Sequence, residues 1–229
     1  MNTLQKAGMN TLQKAGGIAA LAHALAYLIP IAMAVTLIFP ILDSNAAQYI
    51  EFVRDNQFLM HIWILISYWG SAISLVIMAF ALFERLKADS TGLIQIATAF
   101  GIIWAGLIIG SGNLMLNNFH VITDLYATDP SLAATAWTIL EAVENGITSG
   151  NELIGSLWVL LLSFCALRHG GLPKALSYAG IALAIIGIYT LIPDLTSLLG
   201  VAFAFGLGMV VWSIWLGIVM LRKSPSLAA

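Results

Sequence analysis

Six polar residues in the second half of the chain recur at offsets that place them on one side of an α-helix. Glu141, Glu144, Asn145, Thr148, Asn151 and Glu152 stand at relative positions 0, 3, 4, 7, 10 and 11, which at the helical period make a single stripe. Carboxylates beside amides and a hydroxyl can hold a cation or a small polar ligand, and an ionisable group at membrane depth points to function. A charged stripe can equally be a solvated face, the reading that suits Glu141 and Glu144, whereas Asn151 and Glu152 enter an apolar segment. An earlier helix carries a second row: Gln95, Thr98, Gly106, Gly110, Asn113 and Asn117. An amide turned toward hydrocarbon is costly, so Asn113 and Asn117 are expected to face protein. The Gly106 and Gly110 pair is expected to let a neighbouring backbone approach. Asp194, directly after Pro193, is either a cap for the next helix or an acid within reach of the same site.

Four histidines raise the question of metal or haem. His61 and His120 are the metal candidates, and they meet only if the loop after the third apolar segment folds back over the bundle. His23 and His61 are expected at different depths, roughly 16 Å apart along the membrane normal, too far for one bis-histidine haem. His23 is expected to hydrogen-bond within the bundle. The sequence contains no zinc-protease, nucleophile-elbow, phosphate-loop or dinucleotide motif. A single cysteine, Cys165, offers neither an internal disulfide nor a redox pair. No cofactor is assigned.

These residues must be positioned by membrane helices. Of the 229 residues, 60% are hydrophobic and 9% charged, with a mean hydropathy of +0.95, which excludes an ordinary water-soluble domain. Apolar segments at 17–42, 58–83, 91–116, 147–167, 176–192 and 198–221 predict six crossings joined by short loops. Eight of the nine Lys and Arg residues fall on the side of the termini and only Arg54 opposite, so both termini are expected in the cytoplasm, with the protein in the inner membrane. The second outer loop carries a predicted amphipathic helix at 131–145, opened by Pro130. The first outer loop reads as short and polar. Residues 1–8 recur unchanged at 9–16; this duplicated segment is expected to be disordered, leaving 17–223 as the membrane domain. The charge balance, nine basic against eleven acidic residues, leaves no footprint for nucleic acid.

From Glu152 onward the chain shows an acid before Gly155-Ser-Leu-Trp158, a helix ending in a basic turn, then Gly171-Leu-Pro173, a glycine-spaced fifth helix and a Trp-rich last helix from Trp212 to Arg222. In these features it resembles a bacterial six-helix membrane family known only as a domain of unknown function. The resemblance implies an all-α, polytopic membrane fold. It brings no activity, cofactor or catalytic residue with it.

The resulting expectation is a six-helix transmembrane bundle with an acidic cleft open to the outside, lined by the third, fourth and fifth helices. Its ligand-binding candidates are Asn113, Asn117, Glu144, Thr148, Asn151, Glu152 and Asp194. The acidic outer face favours a cation or small polar ligand over an anion, and a binding or transport-accessory module is the leading class. Two alternatives stay open. One is an intramembrane enzyme with Glu152 or Asp194 as general base and His61 or His120 as partner. The other is a subunit of a larger assembly, with a membrane-protein partner or a second copy of the chain on its small-residue faces.

Overall fold

The computed structural model describes residues 3–38, 41, 44–87, 91–148, 151–192 and 200–222. Among them the chain is helical, with no strand. The helices are α1 (Thr3–Met33), α2 (Ala46–Asp55), α3 (Gln57–Ile64), α4 (Ser71–Leu86), α5 (Thr91–Tyr126), α6 (Pro130–Thr148), α7 (Asn151–His169), α8 (Lys174–Tyr189) and α9 (Val201–Leu221). Two π-helical segments interrupt the regular winding: Ala34–Ile38 prolongs α1, and Leu65–Gly70 joins α3 to α4. Five spans are long and apolar enough to cross a membrane: Thr11–Ile38, Gln57–Leu86, Gly92–Tyr126, Asn151–His169 and Phe203–Leu221. The apolar α8 is shorter. The molecule is a polytopic helical membrane protein.

Six helices close a ring. α1 packs on α4 and α9, α9 on α8, α8 on α7, α7 on α5, and α5 on α4. The seam between the first and last helices rests on Gly17 and Gly217, where a Cβ on Gly217 would lie 2.9 Å from the Gly17 carbonyl. Small residues let membrane helices approach this closely. α1 begins at Thr3, inside the duplicated segment expected to be disordered, and its second copy is engaged. Leu12 packs against the core, and the Gln13 side chain donates to the Met220 carbonyl at 2.9 Å.

The ring is filled by rings. Trp104 of α5, Trp158 of α7 and Trp212 of α9 follow one another at centroid spacings of 5.9 Å, and His23 stands 6.2 Å from Trp104. Tryptophans near helix ends anchor at the membrane interface, but these three are buried in mid-helix. Glycines opposite make the room: a Cβ on Gly101 would lie 2.7 Å from the Trp158 indole, and one on Gly155 2.6 Å from Trp104.

A second, smaller core lies at one end of the bundle and forms a cap. At 1.5 Å per residue α5 is about 54 Å long, well beyond the ~30 Å hydrocarbon layer, and its last turns leave the ring. There Phe119 and Ile122 pack with Ile50 and Val53 of α2, Met60 and Ile64 of α3, and Ala133 of α6. α2 corrects the reading of the first outer loop as merely polar. Asn45 and Gln48 form a reciprocal capping box, each side chain accepting from the other's backbone N–H at 3.0 and 3.1 Å, which starts a helix with one apolar side. α6 is the anticipated amphipathic helix; Asp129 caps it, accepting from the N–H groups of Ser131 and Leu132 at 3.0 Å, with Pro130 in the first position. At the opposite end Gly170 and Gly171 turn with φ of 81° and 91°, and the Gly171 carbonyl accepts from Arg85 at 2.6 Å.

Candidate functional site

The sequence-predicted residues separate into three groups. Asn113 and Asn117 are exposed, as are Gly106 and Gly110, and a Cβ on either glycine would meet nothing within 4 Å. This corrects the expectation that the row faces protein. α5 buries its opposite side, where Gly101, Trp104, Ala105, Ile108, Ser111, Gly112 and Asn118 lie, so the cleft expected between α5 and α7 is not formed by these amides. The expectation took hydrocarbon to surround this part of α5, but the helix is about 54 Å long against a ~30 Å layer, so an exposed amide toward its end does not require protein cover. Asp194 lies outside the described residues. Thr148 is the last residue of α6.

Glu144, Asn151 and Glu152 line cavities, though not on one continuous helix. α6 ends at Thr148 and α7 begins at Asn151. α6 packs on α5 and α2, while α7 packs on α5 and α8, so the stripe is divided between the cap and the bundle.

The bundle cavity encloses about 270 Å³ among α1, α3, the Leu65–Gly70 segment, α4, α5, α7 and α9. Five aromatic rings, Tyr27, Trp63, Tyr68, Trp104 and Phe205, line it, and Glu152 is its one carboxylate, beside the Asn151 amide and the hydroxyls of Ser67, Ser71, Tyr27 and Tyr68. Irregular backbone borders it. Pro30 lacks an N–H and disturbs the winding of α1; the π segment follows at Ala34, and the Pro30 carbonyl accepts instead from the Trp63 indole N–H at 3.0 Å. Across the cavity, serines engage the carbonyls of the second π segment and the turn before it. Ser67 donates to the Trp63 carbonyl at 2.5 Å, Ser71 to those of Ser67 and Tyr68, and Ser74 to that of Gly70 at 2.7 Å. These hydroxyls bond to carbonyls three or four residues back along the same span rather than across to another helix. Short π segments recur at functional sites because they re-aim side chains at little cost.

His23 adjoins this cavity. It is fully buried, 5.0 Å from Tyr27 by ring centroids, and its Nδ1 lies 3.0 Å from the Ser71 carbonyl. A carbonyl only accepts, so Nδ1 carries the hydrogen. Nε2 has no partner, and neither does Oδ1 of Asn151, a residue only 8% exposed. Buried polar atoms without partners are rare in folded proteins.

The cap cavity encloses about 460 Å³ between the end of the first span, α2, α3, α5 and α6. Glu141 and Glu144 line it with Tyr49, Trp137 and Trp63. Tyr49 stacks on Trp137 with centroids 4.7 Å apart. Burial, and then the negative charges of Glu141 and Glu144, hold the Tyr49 hydroxyl well above its ordinary range, so it stays protonated. Arg54, in the last turn of α2, is occupied by Glu51 at 3.3 Å and Asp55 at 3.0 Å.

Trp63 borders both cavities. Tyr68, whose ring lies 6.3 Å from Trp63, packs against both cores and is within electrostatic reach of Glu144 on one side and Glu152 on the other. Periodicity gave no sign of either role, since both depend on the π segment between α3 and α4.

The two metal candidates do meet. His61 and His120 stand edge to face with centroids 5.3 Å apart, brought together because α5 continues straight past the end of the bundle rather than by a loop folding back. The His61 Nδ1 donates to the Gln57 carbonyl at 2.7 Å. Among the described residues no group of three His, Cys, Asp or Glu side chains could hold a metal ion, and neither histidine lines either cavity.

No curated protein and no solved structure matches the chain at a significant level. A family match covers residues 15–222, which takes in both cavities and the six ring helices apart from the beginning of α1, and the chain belongs to the family described as Domain of unknown function (DUF4386).

Proposed function

We propose that this protein is a cation-binding module of the cytoplasmic membrane, a transport-accessory protein whose cap faces outward and whose two cavities lie in series. In this reading all six ring helices cross the bilayer, α8 included, and both termini are cytoplasmic. The support for orientation is the charge distribution: Arg85, Lys87, Arg168, Lys174 and Arg222 belong to the end away from the cap. The observation that carries the functional reading is the sharing of Trp63 by two cavities that each contain carboxylate groups, Glu141 and Glu144 in the cap and Glu152 in the bundle. Acidic side chains lining a cleft concentrate cations there.

The test is a titration of the purified protein with sodium, potassium, magnesium and alkylammonium salts, followed by tryptophan emission. At least one cation should give a saturable change that weakens about tenfold or more, some 1.4 kcal/mol, in Glu144→Gln or Glu152→Gln. No saturable change with any of them would overturn the reading. Orientation is checked separately: cysteines replacing Leu86 or Gly171 should be shielded from an impermeant thiol reagent in intact cells, and one replacing Leu125 should react.

A second reading has its own observation. The exposed row of Gly106, Gly110, Asn113 and Asn117 on α5 suits a partner helix, as expected of a subunit in a larger assembly or homo-oligomer. A cysteine at position 110 should then crosslink to a stoichiometric partner or second copy.

A further inference from the structure

We infer that the bundle cavity binds a small protonated amine with an apolar body, its ammonium group held by Glu152 and the free Asn151 carbonyl and its body lying against Tyr27, Trp104 and Phe205. The inference rests on the cation reading above and names the chemical class of the ligand. Three features of the cavity lead to it.

The first is the balance of donors and acceptors. The hydroxyl hydrogens of Ser67 and Ser71 and the indole N–H of Trp63 are already engaged by backbone carbonyls. The Glu152 carboxylate lines the cavity and the Asn151 Oδ1 has no partner. A ligand that supplies N–H donors and a positive charge satisfies both, whereas an anion would meet a carboxylate with no lysine or arginine among the lining residues.

The second is the wall. A hydrated metal ion needs several oxygen ligands or retained waters, and the side chains around Glu152 are mostly aromatic or aliphatic. Aromatic faces attract an ammonium group, more strongly when it is desolvated, and they bury the hydrocarbon attached to it. A charge taken out of water also requires a charged or hydrogen-bonding partner, which Glu152 and Asn151 provide.

The third is size and access. About 270 Å³ is at the small end of ligand pockets, sufficient for a compact amine and too little for a lipid or a peptide. The neighbouring acidic cap cavity, sharing Trp63, draws in the same charge.

The probe is phenethylammonium, compared with its uncharged near-isostere 2-phenylethanol, titrated into the purified full-length protein with tryptophan emission as the readout. The ammonium should bind saturably and at least about tenfold more tightly than the alcohol. Glu152→Gln should abolish this preference. Gly206→Leu, which adds a side chain at a cavity-lining position where a Cβ meets nothing within 4 Å, should abolish binding of both probes while leaving the melting temperature near that of the unaltered protein. Equal affinity for the two probes, or ammonium binding insensitive to both substitutions, would overturn the inference. Binding of sodium or potassium without phenethylammonium would overturn it and leave the broader cation reading standing; no binding of any cation would remove both.

Discussion

In the bundle, large rings face missing side chains. Trp104, Trp158 and Trp212 fit because Gly101 and Gly155 and the buried Gly180 stand opposite them, and helices surrounded by hydrocarbon hold their own backbone hydrogen bonds without special end signals. The cap is organised differently. Its helices α2 and α3 are short, its core is mainly Ile, Val, Met and Phe, and the starts of α2 and α6 are fixed by local hydrogen bonds from Asn45, Gln48 and Asp129. Outside hydrocarbon, water competes for backbone groups and a helix end needs a partner. The difference locates the cavities. They occur where one kind of packing gives way to the other, around Pro30, Trp63 and Tyr68, and there both π segments are found.

The largest effect should follow from removing the central ring of the bundle. Trp158→Ala deletes a fully buried side chain and should cost about 3–5 kcal/mol, lowering the melting temperature of the whole protein. Ile50→Ala makes the corresponding gap in the cap, about 2–5 kcal/mol, but hydrogen exchange should rise in α2 and α6 and stay unchanged in α7 to α9. Exchange rising throughout would mean that the two cores unfold as one cooperative unit.

Glycines sharpen it. Gly101→Ala, opposite Trp158, should destabilise by about 1–3 kcal/mol through overpacking. Gly106→Ala, on the open side of the same helix, should be neutral or stabilising by about 0.5–1 kcal/mol. A chemical-denaturation series on the pair measures the difference directly, and equal effects would mean that the open side is packed. Asn45→Ala should cost about 1 kcal/mol, visible as fraying of α2 alone. The smallest effect is pH-dependent. The Tyr49 hydroxyl is held above its ordinary value of 10.0, so its contribution to cap stability is fully present below that value and is lost as pH rises through the higher folded value. Tyr49→Phe should flatten the alkaline loss, read by emission from the stacked Trp137.

Much of the fold was legible in the sequence because hydrocarbon imposes one rule, long apolar runs, and the helix opened by Pro130 carried a local signal. The continuation of α5 to Tyr126 was missed because apolar density falls after Leu116, while Phe119 and Ile122 keep one face in register for a different core. Asn113 and Asn117 are exposed for a related reason: α5 is longer than the hydrocarbon layer, so the rule that an amide must face protein does not bind along its whole length. Glu144, Asn151 and Glu152 were identifiable as an acidic stripe. What surrounds them was not, since Tyr27, Trp63, Tyr68 and Trp104 come from distant segments and are aimed by two π segments that helical periodicity does not report.

If the two cavities lie in series, Trp63, which borders both, controls passage from the acidic cavity of the cap to the cavity of the bundle. With Cys165 replaced by Ala, single cysteines at Thr138 in the cap cavity and at Ser67 in the bundle cavity can be timed against a positively charged methanethiosulfonate reagent. The Thr138→Cys thiol should react quickly and the Ser67→Cys thiol slowly, and adding Trp63→Ala should accelerate the second by about tenfold or more, a barrier change of about 1.4 kcal/mol. Equal rates at the two positions, or a Ser67→Cys rate that Trp63→Ala leaves unchanged, would contradict the account.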